Sequence, residues 1–180
     1  MTFPFPFCPP SAAFSVLSLP GLNRWHDPSD AATITESGGD VSDMADKSGN
    51  GYTASQATST RRPSLGTINS LQTLVHDGVD EFLHSVAGMT DFQGIDKPHT
   101  LFVVCEPSSL AAAINMVAFN SSSTANPYHA CLITLTSTWQ SARRDTAGTS
   151  DSQDAGLATL APHIVTQVFT GTTITVRVDG

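Results

Sequence analysis

Apolar residues along this chain come in short runs, each closed by a polar turn. Six of them read as strands: Leu71 to His76, Thr100 to Cys105, Ile114 to Phe119, Ala130 to Thr136, Ile164 to Phe169 and Thr173 to Val178. The last alternates most cleanly, with Ile174, Val176 and Val178 facing one way and Thr175, Arg177 and Asp179 the other. Upstream, Leu22 to Asp27 is compatible with a short strand, and Ala31 to Thr35 with a turn or strand ahead of the Gly38-Gly39 loop. Only Ser109 to Ile114 looks briefly helical, and the small polar stretch Thr146 to Gln153 predicts an exposed loop. The pattern predicts an all-β fold.

Two polar motifs interrupt it. The first runs from Asp43 to Gln56 and contains Asp46-Lys47-Ser48-Gly49-Asn50-Gly51; the second runs from His76 to Leu83 around Asp77-Gly78. Gly49 and Gly51 accept positive φ, Asn50 tolerates it, and Asp46 and Asp77 can bond nearby amides, so both motifs are read as turns. Asp77-Gly78 is expected to join the apolar run from Leu71 to Val75 to an apolar exit at Phe82-Leu83.

A chain of 180 residues suits one domain. A net charge of −8 with only eight Lys and Arg leaves no basic stripe for phosphates or an anionic membrane, which excludes nucleic acid and membrane as expected partners. Charged residues are 13% of the chain, a composition suited to short hydroxyl-rich strands. The start, Met1-Thr2-Phe3-Pro4-Phe5-Pro6-Phe7-Cys8-Pro9-Pro10, lacks a basic n-region and a continuous apolar core, so it does not read as a signal peptide, and the chain reads as soluble. Residues 1–20 instead form an expected extended arm. Its prolines remove amide donors, so Phe3, Phe5, Phe7 and Phe14 must bury against a neighbour, as an anchor, or against their own domain, as a strap. Cys8, Cys105 and Cys131 are three without CxxC spacing, and read as reduced thiols, with Cys8 placed to meet another chain.

The order of these signals resembles the concanavalin A-like lectin/glucanase superfamily, in particular its laminin-G-like modules in tailed-bacteriophage virion proteins. The residues that carry the resemblance are Pro20-Gly21-Leu22, Trp25-His26-Asp27, Asp30, Thr33-Ile34, Met44 to Gly51, Arg62-Pro63 and His76 to Leu83. Met44 stands where the family usually has Trp, His76 where it has Phe and Glu81 where it has Asp. The resemblance implies an antiparallel jelly-roll β-sandwich over residues 21–180. Family modules continue past a turn such as Asp179-Gly180, so the sandwich is expected to lack its last strands, through cropping or because a second subunit or the arm covers the open edge.

The resemblance further implies a non-catalytic virion protein: a capsid decoration, head-fibre or tail-associated subunit on the particle surface. Its expected partners are other virion proteins and copies of itself. The alternative is a carbohydrate-binding module or divergent glycan-active enzyme that meets a glycan on a host surface.

Glucanases of this fold carry Glu-x-Asp-x-x-Glu, but Glu36, Glu81 and Glu106 are the only glutamates and lie far apart in sequence. His26, His76, His84, His99, His129 and His163 show neither HxH nor HExxH spacing, and no G-x-S-x-G elbow occurs. No cofactor is expected apart from structural calcium, for which Asp46, Asn50, Asp77 and Asp80 are the candidate ligands if both turns share a rim; the competing reading is that each side chain bonds its own turn. Trp25, Tyr128 and Trp139 are the aromatics able to stack on sugar rings if exposed, although lone aromatics in a sandwich are more often core; Trp139, beside a polar loop, is the best candidate for exposure, and it and Tyr128 are the candidate sugar-binding residues.

Overall fold

The computed structural model describes residues 14–85, 97–111, 113–120, 128–133, 137–144 and 150–180, with the backbone alone for 120, 128–133, 144 and 150. Among the described residues there are twelve strands, and their pairings are all antiparallel. The all-β expectation therefore holds.

The first sheet is built from β1 (Ile34–Ser37), β2 (Asp40–Met44), β3 (Ala54–Ser55), β4 (Ser64–Ile68) and β5 (Leu71–Val75), in the order β1-β2-β4-β5 with β3 also on β2. Two-residue turns close its hairpins. Gly38 and Gly39 take positive φ between β1 and β2, and Asn69 and Ser70 do so between β4 and β5, the geometry that matches strand twist.

A second sheet has the order β12-β11-β6, from β6 (His99–Cys105), β11 (His163–Phe169) and β12 (Ile174–Val178). Between β6 and β11 in sequence lies a meander, β7 (Ile114–Asn120), β8 (Tyr128–Ile133), β9 (Thr138–Arg144) and β10 (Ser150–Leu157), which forms the third sheet in the order β10-β9-β8-β7.

The second and third sheets share one apolar core. Trp139 from β9, Val165 from β11 and Ala158 are its buried centre, with Leu101, Val103 and Cys105 of β6, Met116 of β7 and Val176 and Val178 of β12 packed around them. Strand alternation delivers these residues: along β6 the inward Leu101, Val103 and Cys105 alternate with outward Thr100, Phe102 and Val104. The outward residues are left in solvent, Phe102 at 65%, Val104 at 66% and, beside them on β11, Ile164 at 53% exposure.

Several expectations are corrected. Leu22 to Asp27 is not a strand; only His26 makes an isolated bridge, to Asp46. Ala31 to Thr35, read as a turn or strand, is borne out as both, a 3-10 turn over Ala31–Thr33 capped by Asp30 followed by the strand from Ile34. The described residues of the stretch read as helical, Ser109 to Ala111 and Ala113, are not helical: Ser109 Oγ accepts the Ala111 N–H in a local turn, and β7 starts at Ile114. Ser150 to Gln153, expected in a loop, belongs to β10: the ladder from β9 outweighs its polar composition, and Asp151 sits opposite Arg143. Phe82-Leu83 gives no return strand after Asp77-Gly78; His84 alone bridges to Ser55. Among the described residues no helix is long and apolar enough to cross a membrane.

Candidate functional site

The first turn motif is organised around one carboxylate. Asp46 Oδ1 accepts the backbone N–H of Trp25 at 3.0 Å and of Ser48 at 2.9 Å; Oδ2 accepts the Ser48 hydroxyl at 2.7 Å and the Tyr52 N–H at 3.1 Å. Burial, the largest single influence, pushes the Asp46 carboxyl up, yet these hydrogen bonds together hold it below its ordinary value. Asn50 presents its amide nitrogen, donating to the carbonyls of Leu22 at 3.2 Å and Asn23 at 2.9 Å. Next to it Lys47 pairs with Asp27 at 3.0 Å and Asp30 at 2.8 Å and lies 4.5 Å over the Trp25 ring, which covers that face of the indole. The motif fastens the segment 22–30 onto the turn 46–52.

The second motif is smaller. Asp77 Oδ1 accepts the Val79 N–H at 2.8 Å, Glu81 accepts the Asp77 N–H at 2.7 Å, and Asp80 pairs with Arg61 at 3.3 Å. Asp46, Asp77 and Asp80 thus meet protein donors. Among the described residues no three His, Cys, Asp or Glu are grouped to hold a metal ion.

Trp139 corrects the expectation of an exposed sugar platform. It is 1% exposed and faces Val165 in the core, because the alternation of β9 turns Trp139, Ser141 and Arg143 to the same, inward side. Tyr128 opens β8 opposite Asn120 and Arg144, and its side chain lies outside the described residues. Of the arm, Phe3, Phe5 and Phe7 also lie outside them, while Phe14 is described and is 76% exposed. Leu17 and Leu19 after it are exposed as well.

A constellation that spacing did not reveal sits at the open end of β11 and β12. Pairing of Val165 with Val178 brings Asp179 beside Ile164, whose N–H donates to Asp179 Oδ1 at 3.0 Å. Asp179 Oδ2 lies 2.7 Å from His163 Nδ1, and His163 Nε2 lies 2.7 Å from Thr159 Oγ1. The imidazole meets the Trp139 ring edge to face, with centroids 5.3 Å apart, and its side chain is 13% exposed. The Ile164 N–H, followed by the His163 imidazole, holds the Asp179 carboxyl below its usual value. Opposite His163 in the ladder, burial and then the Asp179 charge push the Cys105 thiol up to about 11. Beside this group opens a cavity of about 300 Å³ bounded by Ile68, Val104, Pro162, Ile164, His163 and Asp179. The only sequence signal for the cluster was the alternation that placed Asp179 at the end of its strand; its partners depend on register.

The core also holds polar atoms that have no partner among the described residues. Both amide atoms of Gln167, the Ser141 hydroxyl and Trp139 Nε1 are buried and unpaired.

No protein-family model, curated protein or solved structure matches the chain.

Proposed function

We propose that the chain is a laminin-G-like, concanavalin A-type jelly-roll module that serves as a structural or adhesion subunit of a tailed-bacteriophage virion, anchored by residues 1–20 and displayed on the particle surface. Capsid decoration, head fibre and tail association all fit such a role. The observation that carries the reading is exposed apolar surface at two places, Phe14, Leu17 and Leu19 at the root of the arm, and Phe102, Val104 and Ile164 on the outer side of β6 and β11. Clustered exposed apolar residues mark contact surfaces, and an assembled particle offers subunits to cover them. The carboxylates of both turn motifs support it too, since hydrogen bonds to the chain account for them as architecture.

The test is incorporation into particles. Virions assembled with a chain lacking residues 1–20 are expected to carry none of it, and full occupancy by the truncated chain would overturn the anchoring role. The glycan reading has lost its principal residue, since Trp139 is packed in the core. A glycan array and a reducing-sugar assay test it directly; saturable binding or hydrolysis would restore it.

A further inference from the structure

The Thr159–His163–Asp179 chain offers more than an assembly role. A carboxylate can only accept, so His163 Nδ1 carries the proton facing Asp179. In the neutral form of the ring Nε2 is then an acceptor, and the Thr159 hydroxyl donates to it. A hydroxyl aimed at a ring nitrogen whose far side is held by a carboxylate is the arrangement that activates an oxygen nucleophile. From it we propose that Thr159 accepts acyl groups from activated carboxylic esters, with His163 as general base and Asp179 as the positioning residue.

Three features of the surroundings favour this. Asp179 adopts φ of 58°, a conformation costly for a residue with a side chain, and in it both oxygens are engaged, one on Ile164 N–H and one on His163. The His163 ring is held against Trp139, while Thr159 is exposed, so the base is fixed and the nucleophile is open to a reagent. The neighbouring cavity of about 300 Å³, lined by Ile68, Asn69, Val104, Pro162 and Ile164 together with His163 and Asp179, is large enough for a short acyl chain on the side of the imidazole and its carboxylate. Cys105, whose thiol stays protonated near neutrality, does not compete.

The chemistry is acyl transfer from ester to water. Thr159 Oγ1 attacks the carbonyl carbon as its proton passes to His163 Nε2. The bond to the leaving alcohol then breaks, and that oxygen takes the proton from Nε2. A water molecule attacks the Thr159 ester, giving its proton to Nε2, and Thr159 departs with that proton as the carboxylic acid is released. General-base assistance alone contributes a factor of about 10²–10⁴, and this sets the size of the expected effect.

The experiment uses the intact folded chain and p-nitrophenyl acetate, with peptide-resolved mass spectrometry after short incubations. The peptide containing Thr159 is expected to gain one acetyl group, Thr159→Ser to retain labelling, and Thr159→Val to abolish it. His163→Gln and His163→Asn are each expected to slow it about 100-fold or more. Asp179→Asn is expected to slow labelling and displace its pH profile, which loss of packing alone would not do. Circular dichroism and urea midpoints identify the variants that remain folded. A wild-type chain acetylated only at its amines, or labelling at Thr159 that persists undiminished in a folded His163 variant, would overturn the proposal. The first of those outcomes needs no variant to fold, and none bears on particle incorporation.

Discussion

Asp46 accepts the backbone N–H of Trp25 at 3.0 Å across 21 residues of sequence, so the turn at 46–52 and the segment entering the fold are fastened by one side chain. That carboxylate also takes up the Ser48 and Tyr52 amides. Replacing Asp46 with Ala leaves these donors without their acceptor and is expected to cost about 2–4 kcal/mol, with Asp46→Asn near half that. Urea unfolding monitored by circular dichroism measures both; an unchanged midpoint in Asp46→Ala would show that the turn holds without its carboxylate.

The same hydrogen bonds set the acid limit. Asp27, lowered mainly by the Ser29 hydroxyl, and Asp46 and Asp179 all have folded values below the ordinary one. A carboxyl of that kind stabilises the fold fully above its unfolded value, near 3.9, and loses the contribution as pH falls through the folded value. Stability is expected to change little from neutrality to about pH 5 and to decline below about pH 4, with a shallower decline in Asp46→Asn. Lys47, raised by Asp30 and then Asp27, works in the opposite direction: its contribution is complete below its unfolded value and fades in strong alkali. Thermal melts across pH check both limbs.

Gln167 is 1% exposed, and neither of its amide atoms has a partner among the described residues. Removing an unpaired buried amide while keeping its bulk relieves a desolvation cost, so Gln167→Leu is expected to raise stability by about 1–3 kcal/mol. Gln167→Ala, which also leaves a void, should gain less or lose. A fall in the urea midpoint of Gln167→Leu would mean that the amide has a partner in solution.

Cys105 is expected to resist alkylation below about pH 9, since thiolate, the reactive form, is scarce for a thiol pushed up to about 11. Iodoacetamide followed by peptide mapping resolves it from Cys8 and Cys131, and urea should abolish the protection. Rapid labelling of Cys105 in the native chain would contradict its burial.

Elements whose period is local were legible in the sequence. The alternation of Ile174, Val176 and Val178 announced β12, and Gly38-Gly39 announced a loop where the β1–β2 turn lies. Failures cluster where a distant partner decides. Ser150 to Gln153 is strand because β9 offers a ladder, and Trp139 is buried because β9 turns that face toward β11. Thr159, His163 and Asp179 meet only once β11 and β12 pair in their particular register, which no spacing within the chain encodes. The roles given to Asp46 and Asp77 as turn holders were legible, because a carboxylate bonding amides two residues ahead is a local event.

The position of β11 beside β6 has a kinetic consequence. The meander β7 to β10 is made of neighbours in sequence and can assemble from hairpins, whereas His99–Cys105 must wait for His163–Phe169 to be brought back past all of it. Closing that long excursion costs chain entropy before any contact repays it, so the β6–β11 seam is the natural bottleneck of folding. Until it closes, Leu101, Val103 and Val165 have no shared interior, and the half-formed chain presents sticky strand edges to its neighbours.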